Sequence, residues 1–158
     1  MKEQNIKLGI SIGDLNGIGG EIILKTFEDA RMLEFCTPII FASLDAVIEG
    51  KLNVVNVWQD NPQIKFGEES STGGSYAIKS LKAAVEALKS NKIDVLVTAP
   101  IHKATIQSED FNFPGHTDFL NQELEGDSLM FMTTEKLKVG LLTDHVAVMY
   151  QIRLMLNS

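Results

Sequence analysis

The three histidines of the chain all lie at predicted strand ends or in a tight turn. His102 follows one short apolar strand, His145 follows another, and His116 lies in a Pro-Gly turn. Histidine is the usual side chain for proton transfer near neutral pH and for metal binding. These positions favour one shared cleft, although each histidine alone is equally typical of a structural or solvated residue.

A glycine-rich loop, residues 13–21, joins the first predicted strand to the first predicted helix. Glycines let the backbone approach a ligand closely, and the start of a helix suits phosphate. The glycine spacing matches neither the dinucleotide fingerprint nor the P-loop. Gly13, Asp14, Gly17 and Gly19 are therefore candidate cofactor contacts, and a plain strand-to-helix turn is the alternative.

Polar neighbours accompany two of the histidines. Thr98 offers a hydroxyl, and Lys103 offers a point charge for a phosphate or carboxylate. Thr117 is predicted to cap a helix, which would place His116 at the helix start, able to donate to an anion. The alternatives are a solvated strand exit at Lys103 and a capped turn with an exposed histidine at His116.

His145 has a carboxylate, Asp144, as its neighbour in the chain. Such a pair can bind a metal or act as an acid–base group. A metal site needs at least two further ligands, so a structural histidine is again the alternative.

Apolar periodicity places these motifs on an alternation of strands and helices. The predicted strands are 6–12, 38–42, 54–58, 95–97, 129–133 and 139–143. The predicted helices are 21–32, 43–50, 75–90, 117–125 and 146–156, with a loop over 60–74. The uninterrupted apolar run Val95-Leu96-Val97 is typical of a strand buried on both faces. The pattern predicts an α/β fold, layered α/β/α with a mostly parallel sheet, whose ligands bind at the carboxyl ends of strands.

Charge and composition exclude several classes of function. The net charge of −7 argues against nucleic acid and anionic membranes as partners. No apolar stretch has the length of a membrane helix, and no targeting segment is visible at the start. The single cysteine, Cys36, predicts a small buried side chain and a reducing, cytoplasmic location.

Four motifs together resemble the 4-hydroxythreonine-4-phosphate dehydrogenase family, in order and over nearly the whole chain. Residues 13–21 read GDLNGIGGE and are similar to the family's GDPAGIGPE; residues 98–103 read TAPIHK, against TAPINK. Residues 113–120 read FPGHTDFL, against FPGHTEFL, and residues 143–145 read TDH, against TTH. The Gly-His-Thr block is the most specific of these matches.

The resemblance implies a function as well as a fold like that of isopropylmalate dehydrogenase. The family oxidises 4-phosphooxy-L-threonine with NAD or NADP in vitamin B6 biosynthesis, and the product loses carbon dioxide. A divalent metal (Zn²⁺, Mg²⁺ or Co²⁺) polarises the reacting oxygen. By motif match, His116 and Thr117 bind substrate and His145 binds the metal. The family also implies a homodimer, and the catalytic residue itself stays unassigned.

The sequence also departs from the family pattern. Leu15-Asn16 replaces Pro-Ala, His102 replaces Asn, and Val146 follows His145 where the family has Pro. The family is about twice as long, so residues 1–158 are expected to be the N-terminal part of a two-subdomain dehydrogenase, truncated before its C-terminal half. A catalytically inactive fragment that keeps phosphate binding or chain association is the alternative function. A different phosphate-handling enzyme, such as an acyl-phosphate transferase, is disfavoured by the Gly-His-Thr block.

Overall fold

The structure, a computed structural model, describes residues 5–43, 52–109 and 111–141. Contacts between Cα atoms divide the chain after Leu124 into two compact units, which are described separately below. The predicted helix over 43–50, the motif 143–145 with His145, and the apolar stretch 146–156 lie outside the described residues wholly or in large part.

The first unit is built on a four-stranded parallel sheet. Its elements are, in chain order, β1 (Ile6–Ser11), α1 (Gly19–Glu28), α2 (Met32–Phe35), β2 (Cys36–Ala42), β3 (Asn53–Asn56), α3 (Ser71–Lys89), β4 (Val95–Thr98) and α4 (His116–Glu123). The strand order is β3-β2-β1-β4, with every neighbouring pair parallel. Alternation of strands and helices along the chain therefore produced the predicted α/β fold.

Helices cover both faces of this sheet. Ile10 of β1 and Ile12, which directly follows the strand, pack with Ile23 and Phe27 of α1 in one buried cluster. On the other face, Phe41 packs with residues of α3. The layering α/β/α is confirmed.

A buried serine fixes α3 to the sheet. Ser80 Oγ accepts a hydrogen bond from the Ile12 N–H (2.9 Å) and donates to the Phe41 carbonyl oxygen (2.6 Å). Ser80 has no exposed surface, so both of its polar capacities are used inside the protein. These two hydrogen bonds fix the position of α3 relative to the carboxyl ends of β1 and β2, where the candidate site lies.

The prediction that residues 95–97 are buried on both faces is wrong. Among the described strands β4 lies at the edge of the sheet, and Val95 and Val97 keep 45% and 46% of their surface exposed. A short apolar run predicts a strand but does not show how many neighbours the strand has, so it does not distinguish a central strand from an edge strand.

Two helix starts also differ from the prediction. α1 begins at Gly19 and ends at Glu28, not at 21 and 32. α3 begins at Ser71, inside the predicted loop, with Ser70 as its cap accepting from the Gly73 N–H. Glycines indicate loops in a sequence, but Gly73 and Gly74 lie inside this helix because a Cβ atom there would meet Asp14 Oδ1 (2.6 Å) and the Thr105 carbonyl oxygen (2.1 Å).

The second unit contains the predicted hairpin. β5 (Met130–Thr133) and β6 (Lys138–Leu141) pair antiparallel, with Phe131 opposite Gly140. Among the described helices, none combines the length and the apolar character that crossing a bilayer requires. Cys36 is half-buried rather than buried, at the first position of β2.

Candidate functional site

The glycine-rich loop is fixed directly to the end of β4. The Asp14 N–H donates to the Pro100 carbonyl oxygen (2.9 Å), and the Ala99 N–H donates to the Ser11 carbonyl oxygen (3.0 Å). Parallel neighbours end at the same edge of a sheet, so the first and second motifs meet there as expected.

Two of the three candidate glycines allow close packing within the chain. Gly13 has a φ of 73°, and a Cβ there would lie 2.3 Å from the Pro100 carbonyl oxygen. A Cβ on Gly19 would lie 2.4 Å from the Ile12 carbonyl oxygen. These glycines hold the loop and α1 against β4, whereas Gly17 meets nothing closer than 3.4 Å at that position.

Asn16 connects the same loop to residues 65–68. Its side-chain Oδ1 accepts from the Lys65 N–H (2.9 Å), its Nδ2 donates to the Glu68 carbonyl oxygen (2.9 Å), and its carbonyl oxygen accepts from the Gly67 N–H (2.8 Å). Asn16 is only 6% exposed. The sequence marked Asn16 as unusual, because the family has alanine at this position. The role of Asn16 could not be predicted, because its partners lie 49 and 52 residues further along the chain.

A groove of about 450 Å³ runs along this loop and α1. Its lining combines apolar side chains with three carboxylates and one lysine. The lining residues are Ile12, Asp14, Leu15, Gly17, Gly20, Glu21, Leu24, Lys25, Glu28, Ile64 and Phe66. Lys25 is paired with Glu21 at 2.5 Å, which raises the pKa of Lys25 and lowers the pKa of Glu21 through their hydrogen bond. The groove is therefore apolar with an acidic rim.

His102 stands beside the start of α3. Its Nε2 lies 3.2 Å from Glu69 Oε1, and its Nδ1 is buried with no hydrogen-bond partner among the described residues. The His102 carbonyl oxygen accepts from the Thr105 N–H (3.1 Å), which turns the chain after the second motif. Glu69 was missed in the sequence because it lies in the polar segment predicted as loop.

His116 is the first residue of α4, as expected from the third motif. Thr117 does not cap this helix: the cap position is Gly115, with no side-chain hydrogen bond, and Thr117 lies in the first turn. The capping prediction is wrong because the helix starts one residue earlier, with the first helical bond running from the Phe119 N–H to the Gly115 carbonyl oxygen (3.4 Å).

The His116 ring is mostly enclosed and stays neutral. Burial lowers the pKa of His116 below its ordinary value of 6.5, because desolvation disfavours the charged ring. Its Nε2 is buried and has no hydrogen-bond partner in the described part of the chain. A neutral imidazole with one unused nitrogen can donate to, or accept from, a bound ligand.

Lys103 lies close to the third motif. Its Cε is 3.9 Å from the position a Cβ would take on Gly115, and its side chain is exposed. The Gln107 side-chain Nε2 donates to the Phe113 carbonyl oxygen (2.8 Å), and this hydrogen bond connects the segment after the second motif to the third motif.

A cluster of aromatic side chains packs against the third motif. Phe111 is fully buried, with its ring centroid 5.1 Å from those of Phe113 and Phe119. The same cluster contains Ile101 and Ile106, so one apolar core positions both loops. Offset and edge-on ring contacts at these separations stabilise a defined geometry.

Three of the four motifs are thus connected in one unit, whereas the fourth lies outside the described residues. Within residues 5–43, 52–109 and 111–141, no three His, Cys, Asp or Glu side chains converge in a way that could hold a metal ion.

A parallel α/β domain with a glycine-rich loop and polar residues at adjacent strand ends defines the class of ligand-binding α/β domains. Comparison with known proteins makes this more specific. The family model described as pyridoxal phosphate biosynthetic protein PdxA matches residues 11–155. The chain belongs to this family.

Curated relatives agree with that assignment. The chain is 40% identical to a 4-hydroxythreonine-4-phosphate dehydrogenase of Bacteroides thetaiotaomicron over 94% of its own length and 47% of the relative's. It is 34% identical to the enzyme of that name from Helicobacter pylori strain J99, covering 89% of this chain and 50% of that one. The chain therefore spans about half the length of these relatives.

Solved structures agree on the fold. A 4-hydroxythreonine-4-phosphate dehydrogenase from Burkholderia phymatum superimposes with a TM-score of 0.84 at 24% identity, covering 96% of this chain and 53% of that one. The structure of that name from Klebsiella pneumoniae gives a TM-score of 0.77 at 20% identity, covering 97% and 54%. At these identities the likeness establishes the fold alone. In both solved structures this fold forms about half of a longer chain.

Proposed function

We propose that this chain contributes the N-terminal part of an enzyme that oxidises 4-phosphooxy-L-threonine with NAD or NADP, followed by decarboxylation, in vitamin B6 biosynthesis. The observation that carries the proposal is the connection of the first three motifs through the Asp14–Pro100 and Gln107–Phe113 hydrogen bonds. The family match supports it independently.

In this proposal His116 and Thr117 bind the substrate. The neutral His116 ring donates one hydrogen bond, Thr117 offers its hydroxyl from the first turn of α4, and the Lys103 ammonium supplies the positive charge. The free N–H groups at the start of α4 add further donors for an oxyanion or phosphate. The desolvated surroundings of His116 strengthen each of these contacts relative to water.

The cofactor is proposed to lie along the glycine-rich loop. When bound, the nicotinamide supplies the hydride chemistry, and the protein binds and orients it. Asp14 and Gly17 line the groove and would contact the cofactor, while Gly13 and Gly19 keep the loop against β4. Leu15 and the other apolar lining residues suit an uncharged ring. The acidic rim disfavours an additional phosphate, so NAD is favoured over NADP.

A divalent metal, Zn²⁺, Mg²⁺ or Co²⁺, is proposed from the family alone, with His145 as a ligand. The described residues do not by themselves supply a ligand set for this ion. A homodimer, a second subdomain and a cytoplasmic location belong to the same proposal, and the single cysteine supports a reducing compartment.

A second candidate function is a catalytically inactive fragment that keeps phosphate binding or chain association. The observation that favours it is the length: the chain covers 47% of the Bacteroides relative. An active site that draws residues from both halves of such a relative would be incomplete in these residues.

Turnover with the proposed substrate separates the two candidates. The purified chain is mixed with 4-phosphooxy-L-threonine, NAD and Zn²⁺ or Mg²⁺, and the absorbance of the reduced cofactor is followed, with the full-length Bacteroides enzyme as positive control. Turnover that is lost in His116→Asn supports the first candidate. Intact folding and calorimetric binding of the substrate without turnover would support the second.

A further inference from the structure

Phe66 combines an exposed aromatic ring with a firmly held backbone. It keeps 80% of its surface exposed, although phenylalanine is among the side chains that gain most from burial. A single exposed apolar residue is ordinary on a protein surface. The backbone on either side of Phe66 is what distinguishes it.

That backbone is tied to the buried Asn16. The Asn16 side-chain Oδ1 accepts from the Lys65 N–H (2.9 Å), one residue before Phe66. The Asn16 carbonyl oxygen accepts from the Gly67 N–H (2.8 Å), one residue after it. The Asn16 Nδ2 also donates to the Glu68 carbonyl oxygen (2.9 Å). A polar network satisfied in this way holds one geometry, so the exposed ring stands on a defined support.

Phe66 lines the groove of about 450 Å³ that runs along the glycine-rich loop and α1. The other apolar side chains of its lining are Ile12, Leu15, Leu24 and Ile64. Sites for small molecules have volumes of about 300–1,000 Å³ and are mostly apolar. An accessible aromatic ring beside aliphatic side chains suits a flat aromatic ligand, which can stack on the ring.

The charges of the groove restrict which flat ligand fits. The lining holds three carboxylates, Asp14, Glu21 and Glu28, and one cation, Lys25, which is paired with Glu21 at 2.5 Å. The carboxylates of Asp14 and Glu28 are therefore not matched by a second cation in the groove. Carboxylates accept hydrogen bonds from amino groups and repel phosphates. An uncharged ring that carries an amino group complements this lining.

The groove and the substrate motifs are supported by different apolar clusters. Ile12 and Leu15 of the groove belong to the cluster that contains the α1 residues. Phe111 and Phe119, which support the third motif, belong to another cluster. This separation favours a part of the cofactor that is remote from the reacting carbon as the occupant of the groove.

We propose that the groove is the adenine subsite of the dinucleotide cofactor, with the base stacked on Phe66 and its amino group donating to Asp14 or Glu28. Stacking of a base on an aromatic side chain is a common mode of binding. Asn16 is a positioning residue, because it acts through the backbone of residues 65–68. This inference rests on the proposed function, which places the cofactor along the glycine-rich loop, and it adds which end of the cofactor binds there.

Adenosine, which carries no phosphate, is the probe. It is titrated into the isotope-labelled chain, and its dissociation constant is measured from the amide shifts of residues 14–17 and 64–68. Phe66→Leu should weaken binding about fivefold or more, because leucine keeps an apolar side chain but removes the ring, whereas Phe66→Tyr should retain binding. Phe35→Leu is the matched control: Phe35 is also exposed (71%) but lies at the end of α2, outside the groove lining, so adenosine binding should not change.

Asn16→Ala tests the support of the ring. It should weaken adenosine binding although Phe66 is intact, when measured at a temperature at which the variant is folded. A merely structural role of Asn16 would lower the melting temperature and leave the dissociation constant of the folded variant unchanged. That result would overturn the positioning role.

Three results would overturn the subsite itself. They are no saturable binding of adenosine at millimolar concentrations, equal binding by the Phe66→Leu and Phe35→Leu variants, and Phe66-dependent binding of nicotinamide riboside that is tighter than that of adenosine. Failure of the proposed reaction gives a different result, in which 4-phosphooxy-L-threonine is not oxidised while Phe66-dependent adenosine binding persists. Turnover with a KM for NAD that Phe66→Leu leaves unchanged would keep the reaction and remove the subsite.

Discussion

His116 has a half-buried side chain whose Nε2 is buried and has no hydrogen-bond partner among the described residues, and this combination has a measurable consequence. A buried polar atom without a partner costs free energy, which a structural histidine would avoid by turning to water or to a neighbouring acceptor. The cost is offset when a ligand supplies the missing hydrogen bond. At the scale of single residues, this is the physical reason to favour a binding role for His116 over an exposed turn histidine.

The lowered pKa of His116 predicts a dependence of stability on pH. The unfolded chain binds a proton at His116 near pH 6.5 and the folded chain binds it only at lower pH, so the free energy of unfolding falls as pH drops below about 6.5. In His116→Gln this contribution disappears. Urea denaturation of both proteins at pH 7.5 and pH 5.5 measures it.

An identical loss of stability in wild type and His116→Gln between the two pH values would show that the His116 ring is not enclosed as described.

At the scale of elements, the position of α1 depends on its first residue. Gly19 lies under the Ile12 carbonyl oxygen at the carboxyl end of β1, whereas Gly20 has open space where its Cβ would be. An added Cβ atom would therefore clash at Gly19 but not at Gly20. Alanine substitutions at these two adjacent residues can be compared directly.

We expect Gly19→Ala to destabilise the protein and Gly20→Ala to stabilise it. The Cβ of alanine at residue 19 would lie 2.4 Å from a carbonyl oxygen, and overpacking of this kind costs about 1–3 kcal/mol. Alanine at residue 20 should add about 0.5–1 kcal/mol through helix propensity. Thermal denaturation of the two variants beside wild type tests both signs, and a stabilised Gly19→Ala would contradict the packing of α1 on β1.

The elements also show what a sequence pattern can and cannot predict. The hairpin was confirmed because alternation and a polar turn are local features, and β1 was found for the same reason. The start of α3 was missed because Gly73 and Gly74 depend on Asp14 and Thr105, which are distant in the chain. The exposure of β4 was missed because burial depends on the other layers of the fold and not on the strand's own residues.

At the scale of the whole molecule, the order of strands and helices was sufficient to predict a parallel α/β fold. The gathering of motifs at one sheet edge was predictable too, since parallel strands end together. The supporting residues were not predictable, because Asn16 and Glu69 gain their roles from contacts with residues 49 and 33 positions away, respectively. His145 lies outside the described residues, so its proposed metal-binding role stays a prediction.

The chain shares its family and its fold with enzymes about twice its length. The proposed occupant of the site at His116 is a small phosphorylated substrate.

The most direct test of the central claim is a nuclear magnetic resonance titration of the isotope-labelled chain with 4-phosphooxy-L-threonine. The claim is that the second and third motifs together form the substrate-binding site, so amide signals of residues 101–103 and 115–117 should shift together with a single dissociation constant. The His116→Asn variant should weaken both sets of shifts together. If only one of the two segments responds, or if neither does while a full-length relative binds the substrate, the two motifs do not form a common site in this chain.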